Sequence, residues 1–85
     1  MAKLVKSVRS VRSIKRVSVG HVIEVVKGGE TARYTRVRGG WTVRIAHGKY
    51  SPWEDVVTVF TSWEVAQQVN DVAGAHTREH HAYIF

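Results

Sequence analysis

Regular alternation of apolar and polar residues begins at Val17 and predicts a half-buried strand. The inward positions of this strand are Val17, Val19, Ile23 and Val25, with His21 among them. Gly28-Gly29 then supplies a tight hairpin turn, because glycine tolerates the positive φ that such turns require. A second strand over residues 31–38, a second turn at Gly39-Gly40 and a third strand over residues 41–47 complete a three-stranded antiparallel meander.

The second and third strands both carry arginines. The sequence assigns the arginine of the third strand to one face of the sheet and leaves the face of the second-strand arginines open. The inward residues of the third strand are Trp41, Val43 and Ile45. Arg44 therefore points outward. On the second strand neither face is cleanly apolar, so either Arg33 or the pair Arg36 and Arg38 joins Arg44, depending on the register. Both arrangements predict that one side of the sheet is exposed and electropositive.

Residues 52–60 are compatible with two interpretations. The β-branched residues between Glu54 and Phe60 favour a fourth strand. Ser51 followed by Pro52 is also a favourable helix start, because serine caps the first turn and proline fits its first position. The strand is the preferred interpretation, and the helix stays open as the alternative.

The sequence predicts a helix that begins after Thr61. Thr61 and Glu64 form a capping box, and Phe60 with Val65 is spaced for a hydrophobic staple. Gly74 follows the last apolar position as a C-cap. The predicted buried stripe of this helix comprises Val65, Ala66, Val69, Val72 and Ala73.

Residues 5–16, within the basic first sixteen, repeat one β-branched residue, one base and usually one serine. A period of three fits neither a strand nor an α-helix, so we expect an extended, flexible basic arm that orders on a partner. The alternative is that part of this segment pairs as an edge strand. The predicted organisation is a basic arm over 1–16, one domain over 17–75 and a His-rich tail over 76–85. The domain is α+β, a three- to four-stranded antiparallel meander packed on one helix in its C-terminal half.

The formal net charge of +6 is concentrated in the predicted arm. Residues 1–16 contain six bases and no acid, whereas residues 17–85 contain seven bases and seven acids. An asymmetry of this kind bears on the choice of partner and not on the fold. It favours an anionic partner, with nucleic acid first and an acidic protein as the alternative.

Other features of the chain point away from catalysis. The chain has no cysteine, so a disulfide framework and a thiolate metal site are excluded. The string His76-Thr77-Arg78-Glu79-His80 matches an inverted zinc-peptidase motif, but it lies in the predicted tail without a long helix. We therefore expect no enzyme activity, no metal and no cofactor. No apolar run has the length of a membrane span or a signal peptide core, so we expect a cytoplasmic protein without membrane contact.

Two segments resemble a known family. Residues 40–45, and Val59-Phe60-Thr61-Ser62 followed by Glu64 and Ala66, are similar to the arm-type DNA-binding domain of phage tyrosine integrases. The resemblance implies three strands packed on one helix, with the sheet in the DNA major groove and with Arg44 and the outward bases of the second strand facing that groove. The overall residue usage also looks like that of small accessory proteins of actinobacterial phages, many of which bind host proteins. That likeness implies the host cell cytoplasm as the place of action.

These patterns lead to one leading hypothesis and two alternatives. The leading hypothesis is a small non-enzymatic DNA-binding protein that uses the basic arm and an arginine-bearing sheet face. The alternatives are a phage-encoded modulator of a host protein, which would dock through the arm or the Tyr83–Phe85 end, and a structural component of the virion. The candidate nucleic-acid-binding residues are Lys6, Arg9, Arg12, Lys15, Arg16, Arg33, Arg36, Arg38 and Arg44.

Overall fold

The computed structural model describes residues 3–5 and 11–85, which form an antiparallel sheet and two helices. The strands are β1 (Lys3–Leu4), β2 (Val22–Lys27), β3 (Glu30–Val37), β4 (Gly40–His47), β5 (Glu54–Phe60) and β6 (His80–Ile84), and the helices are α1 (Val11–Lys15) and α2 (Ser62–Val72). The predicted α+β class, a meander packed on one C-terminal-half helix, is confirmed. None of the described helices is long and apolar enough to cross a membrane.

The sheet contains six strands in the order β1-β6-β2-β3-β4-β5, and all neighbouring strands are antiparallel. The β2–β3 hairpin turns at Gly28-Gly29, as the sequence predicts, and Gly28 has a φ of +63°. The next turn is Arg38-Gly39, one residue earlier than predicted, because Gly40 pairs with Val37. A Cβ at Gly40 would lie 2.8 Å from the backbone carbonyl oxygen of Phe60, so this strand position requires glycine.

Residues 54–60 form a strand, and the helix alternative for residues 52–60 is wrong. β5 pairs antiparallel with β4, from Ile45 opposite Glu54 to Trp41 opposite Phe60. Its β-branched residues suit this extended backbone, and the chain turns into α2 only after Phe60.

Helix α2 covers the inner face of the sheet and begins where the sequence predicts. The Thr61 hydroxyl accepts a hydrogen bond from the Glu64 backbone N–H, and the Glu64 carboxylate accepts one from the Thr61 N–H, which confirms the capping box. The α2 residues buried against the sheet are Ser62, Val65, Ala66, Val69 and Val72. Ala73 is the C-cap and is half-buried, so it ends the stripe.

Trp41 lies at the centre of the core and is fully buried. Its indole N–H donates to the hydroxyl of Ser62 at 3.1 Å, which satisfies the one polar atom of the side chain. The core residues contributed by the strands are Ile23, Val25, Ala32, Tyr34, Trp41, Val43 and Ala82. The sheet therefore has one face covered by α2 and one outer face.

The first predicted strand is shorter than the alternation suggests. β2 begins at Val22, and Ile23 and Val25 are buried as expected. Val19 is 65% exposed, and His21 is also exposed. The chain bends at Gly20, where φ is +96°, so the alternation before it does not continue the strand.

The two ends of the chain meet in the sheet. β1 pairs with β6, and the Val5 backbone N–H donates to the Ala82 carbonyl at 2.9 Å. The edge-strand alternative is therefore confirmed for Lys3–Leu4, whereas Val11–Lys15 is helical and not extended. Residues 80–84, predicted as part of a tail, form an inner strand between β1 and β2, because Ala82 and Ile84 contribute apolar side chains to the core.

Candidate nucleic-acid interface

Helix α1 places three bases of the N-terminal segment on the surface. Ile14 faces α2 and is only 4% exposed, so it docks the helix on the core. Arg12, Lys15 and Arg16 point away from it and are exposed. The Arg16 N–H donates to the Arg12 carbonyl at 3.1 Å, which extends the helical turn by one residue. We call Arg12, Lys15 and Arg16 the α1 cluster.

No member of the α1 cluster forms an ion pair with any carboxylate in residues 3–5 and 11–85. Arg12 and Arg16 are one helical turn apart, and like charges at this spacing destabilise a helix by about 0.2–0.5 kcal/mol. The first turn of α1 contains no acid that would offset this repulsion. The cluster is therefore a positive surface without internal compensation in the described chain.

The outer face of the sheet carries a different arrangement of charge. One row of directly opposite residues crosses five strands and comprises Tyr83, Glu24, Arg33, Arg44 and Asp55. We call this set the cross-strand row. Register thus brings Arg33, and not the pair Arg36 and Arg38, beside Arg44. This settles the choice that the sequence left open.

Both arginines of the cross-strand row are bound to carboxylates. Arg33 Nε lies 2.9 Å from Glu24 Oε2, and Arg44 Nε lies 3.0 Å from Asp55 Oδ1. The guanidinium of Arg33 also lies over the ring of Trp53, 4.5 Å from its centroid. Two adjacent arginines flanked by two acids give a row with no net charge, so the outer face is less electropositive than the sequence suggests.

Arg36 lies on the inner face, opposite Trp41. Its Nη1 donates to the carbonyls of Val37 and Gly40 at 3.2 and 2.9 Å, and its Nε is buried without a partner. This side chain is committed to the fold, so its inclusion among the outward bases is corrected. Arg38 lies in the β3–β4 turn and is exposed, without an ion pair to a described residue.

One further ion pair and one histidine contact are present among the described residues. Lys27 Nζ lies 2.6 Å from Asp71 and joins β2 to α2. His47 Nδ1 lies 3.3 Å from Glu30, and this contact is an ion pair only when the imidazole is protonated. On the inner face, burial raises the pKa of Tyr34 to about 12, and the Glu30 and Glu64 carboxylates add to the rise. Tyr34 is thus a core residue and not part of a surface site.

The His76–His80 string does not form the helix on which an inverted zinc-peptidase motif holds its metal. His76 has a φ of +50°, residues 77–79 bend, and His80 begins β6. The nearby His81 Nδ1 lies 2.9 Å from the Thr77 carbonyl oxygen. No group of three His, Cys, Asp or Glu residues that could hold a metal ion occurs within the described residues.

The predicted site residues therefore fall into separate groups. Lys6 and Arg9 lie outside the described residues. The structure brings Arg12, Lys15 and Arg16 together on α1, and Arg33 and Arg44 together on the sheet. The sequence did not identify Glu24, Asp55 and Trp53 as partners of the sheet arginines. The two-residue turn at Gly28-Gly29 places Glu24 opposite Arg33, so this pair could have been found from the sequence. Trp53 and Asp55 depend on where the chain enters β5, which no turn signal specifies.

Comparisons with protein-family models, with curated proteins and with solved structures find no match. Within the part of the chain that the structure describes, fold and surface define a small α+β protein whose basic helix α1 has no carboxylate partner and whose outer sheet face carries a charge-balanced row. The resemblance to the arm-type domain of integrases stays a prediction.

Proposed function

We propose that this protein binds duplex DNA through the α1 cluster and the basic segment around it. The observation that carries the proposal is that some exposed bases have a carboxylate partner and others have none. Arg12, Lys15 and Arg16 are exposed without a described carboxylate partner, whereas Arg33 and Arg44 are each bound to one. Lys6 and Arg9 add two bases to the same segment of the sequence, and their part in binding stays a prediction.

The physical chemistry of phosphate binding supports this choice of surface. A phosphate beside Arg12 and Arg16 would relieve the repulsion between the two guanidinium groups, which the folded chain does not offset. Each cation that contacts a phosphate releases condensed counterions from the DNA, so binding gains free energy at low salt. These contacts follow the DNA backbone and carry no sequence information, so we expect weak sequence preference.

The sheet face is a poorer candidate for the same role. A phosphate would compete with Glu24 and Asp55 for the arginines of the cross-strand row. The two carboxylates would also repel the phosphate. Our proposal therefore places DNA on α1 and departs from the groove-facing sheet that the integrase resemblance implies.

Two charge-matched double variants test the proposal. Arg12→Gln/Lys15→Gln removes two cations from the α1 cluster, and Arg33→Gln/Arg44→Gln removes two from the cross-strand row. Their net charges are equal, so a difference between them reports location and not total charge. Binding of a labelled duplex is measured by fluorescence anisotropy over a series of salt concentrations.

The α1 double variant should bind about tenfold more weakly, and the slope of log K against log salt should fall by about two. The sheet double variant should stay within about twofold of the wild type. Equal losses in both variants would indicate binding that depends only on net charge. Wild-type binding that does not change with salt would contradict a phosphate-based interface altogether.

A further inference from the structure

Strand β5 is the open edge of the sheet. It spans seven residues, Glu54–Phe60, and among the strands of residues 3–5 and 11–85 it pairs only with β4, on one side. The opposite edge, β1, spans only two residues. The outward N–H and C=O groups of β5 can thus pair with another strand, which makes this edge a template for association.

The middle of β5 is apolar and projects from the sheet. Thr42 of β4 faces three residues of β5, Val57, Thr58 and Val59, because the pairing shifts between Trp41 and Val43. Val57 lies in this bulge and is 99% exposed, and Val59 is also exposed. Charged residues and proline are common protections of a sheet edge, whereas the exposed residues of this bulge are Val57, Thr58 and Val59.

The two ends of β5 carry opposite charges. Glu54 begins the strand, is exposed and forms no ion pair with a described residue. Arg38 lies near the other end, because it is two residues before Gly40, whose backbone lies against Val59 and Phe60. Arg38 is likewise exposed and unpaired within the described part of the chain.

We propose that β5 pairs antiparallel with β5 of a second copy of this chain, about a two-fold axis near Val57. This arrangement satisfies the open backbone groups of both strands and brings the two Val57 side chains together. It places Glu54 at the end of the facing strand, beside the partner's Arg38, twice in each dimer. A two-fold interface must be self-complementary, and an edge with a central apolar residue and opposite charges at its ends meets that requirement.

The proposal does not depend on DNA binding, because neither Val57, Glu54 nor Arg38 belongs to the α1 cluster. Sedimentation of the full chain over concentrations from about 1 µM to about 1 mM measures the association. Val57→Lys is the first variant, and Val19→Lys is its control, since Val19 is also an exposed valine but lies outside β5. We expect a dimer for the wild type and the control, and at least about tenfold weaker association for Val57→Lys.

A charge exchange tests the proposed orientation of the strands. Arg38→Glu and Glu54→Arg should each weaken the dimer, and the double variant Arg38→Glu/Glu54→Arg should restore it. Circular dichroism of each variant checks that the fold is retained.

A wild type that stays monomeric throughout would overturn the proposal. So would a dimer that Val57→Lys leaves unchanged, since the interface would then lie elsewhere. If the single charge variants weaken the dimer and the double variant does not restore it, the antiparallel pairing is overturned. A β5 edge that binds a strand of another protein, with no self-association, would also exclude the second copy as its occupant.

Discussion

Helix α1 and the outer face of the sheet both present arginines to solvent, but they differ in what lies next to each guanidinium. On the sheet, Glu24 and Asp55 are within 3.0 Å of Arg33 and Arg44. On α1, Arg12 and Arg16 have no described carboxylate partner. Exposed arginine is therefore a weak indicator of an anion site until its neighbours are known.

The two regions also differ in how their bases are held in place. The cross-strand row is fixed by backbone pairing on both sides of β3 and β4, so its ion pairs add to a geometry that already exists. The α1 cluster belongs to a five-residue helix, too short to be stable without tertiary contacts. Its position depends on Ile14, the one buried residue of that helix among those whose side chains are described.

The largest expected effect therefore comes from Ile14→Ala. We expect the free energy of unfolding to fall by about 2 kcal/mol, because the substitution removes buried apolar surface between α1 and α2. DNA affinity should fall as well, since the α1 cluster loses its fixed position. Urea denaturation measures the first effect, and titration with a labelled duplex measures the second.

Val19→Ala is the matched control for this variant. Val19 is exposed and follows the same helix, so its truncation should change stability by no more than about 0.5 kcal/mol. A similarly small change for Ile14→Ala would mean that α1 is not anchored to the core. The position of the α1 cluster would then not depend on Ile14.

A second expected effect concerns the pH dependence of stability and comes from the inner face of β3. Tyr34 points into the core there, whereas its neighbour Arg33 points outward. The raised pKa of Tyr34, about 12 against the usual 10.0, stabilises the fold up to the pKa of the unfolded chain. Between these two pH values the unfolded phenol ionises while the folded phenol keeps its proton, so stability falls as pH rises. Tyr34→Phe should flatten this fall.

Chemical denaturation of the wild type and Tyr34→Phe, at pH values from about 9 to about 12, tests this expectation. Tyr50→Phe is the control, because Tyr50 is exposed, and it should keep the wild-type slope. If the stability of Tyr34→Phe falls with pH as steeply as that of the wild type, the buried phenol is not responsible for the loss of stability.

Local signals in the sequence predicted the elements that depend on neighbouring residues. The capping box of Thr61 and Glu64 specifies where α2 begins, and Gly28-Gly29 specifies the first hairpin. Trp41 was predicted to be buried because it opens an alternating strand, and it is fully buried. In each case the deciding contacts lie within a few positions along the chain.

The pairing of the two ends of the chain was not predicted, although an edge strand in the N-terminal segment was one of the alternatives. The Val5 N–H bonds to the Ala82 carbonyl across nearly the whole chain, and no local pattern identifies that partner. The histidines among residues 76–81 led to the prediction of a tail, whereas part of this segment belongs to an inner strand whose apolar residues are Ala82 and Ile84. The charge of the candidate sheet site was not predicted for the same reason. The cross-strand row is neutral only in the observed register, which the sequence left open.

The smallest expected effects come from the ion pairs themselves, and they compare the two acids of the cross-strand row. Glu24→Gln should cost about 1 kcal/mol of stability, since the Glu24 side chain is only 18% exposed and its charge is poorly screened by water. Asp55→Asn should cost about 0.3 kcal/mol or less, because Asp55 is 79% exposed. Thermal denaturation at low and high salt measures both, and salt should reduce the smaller cost further.

Each variant also releases one arginine, so DNA affinity should rise if carboxylate pairing is what keeps the sheet face from binding. An unchanged affinity in both variants would mean that the shape or position of the sheet face, and not its charge balance, distinguishes it from α1.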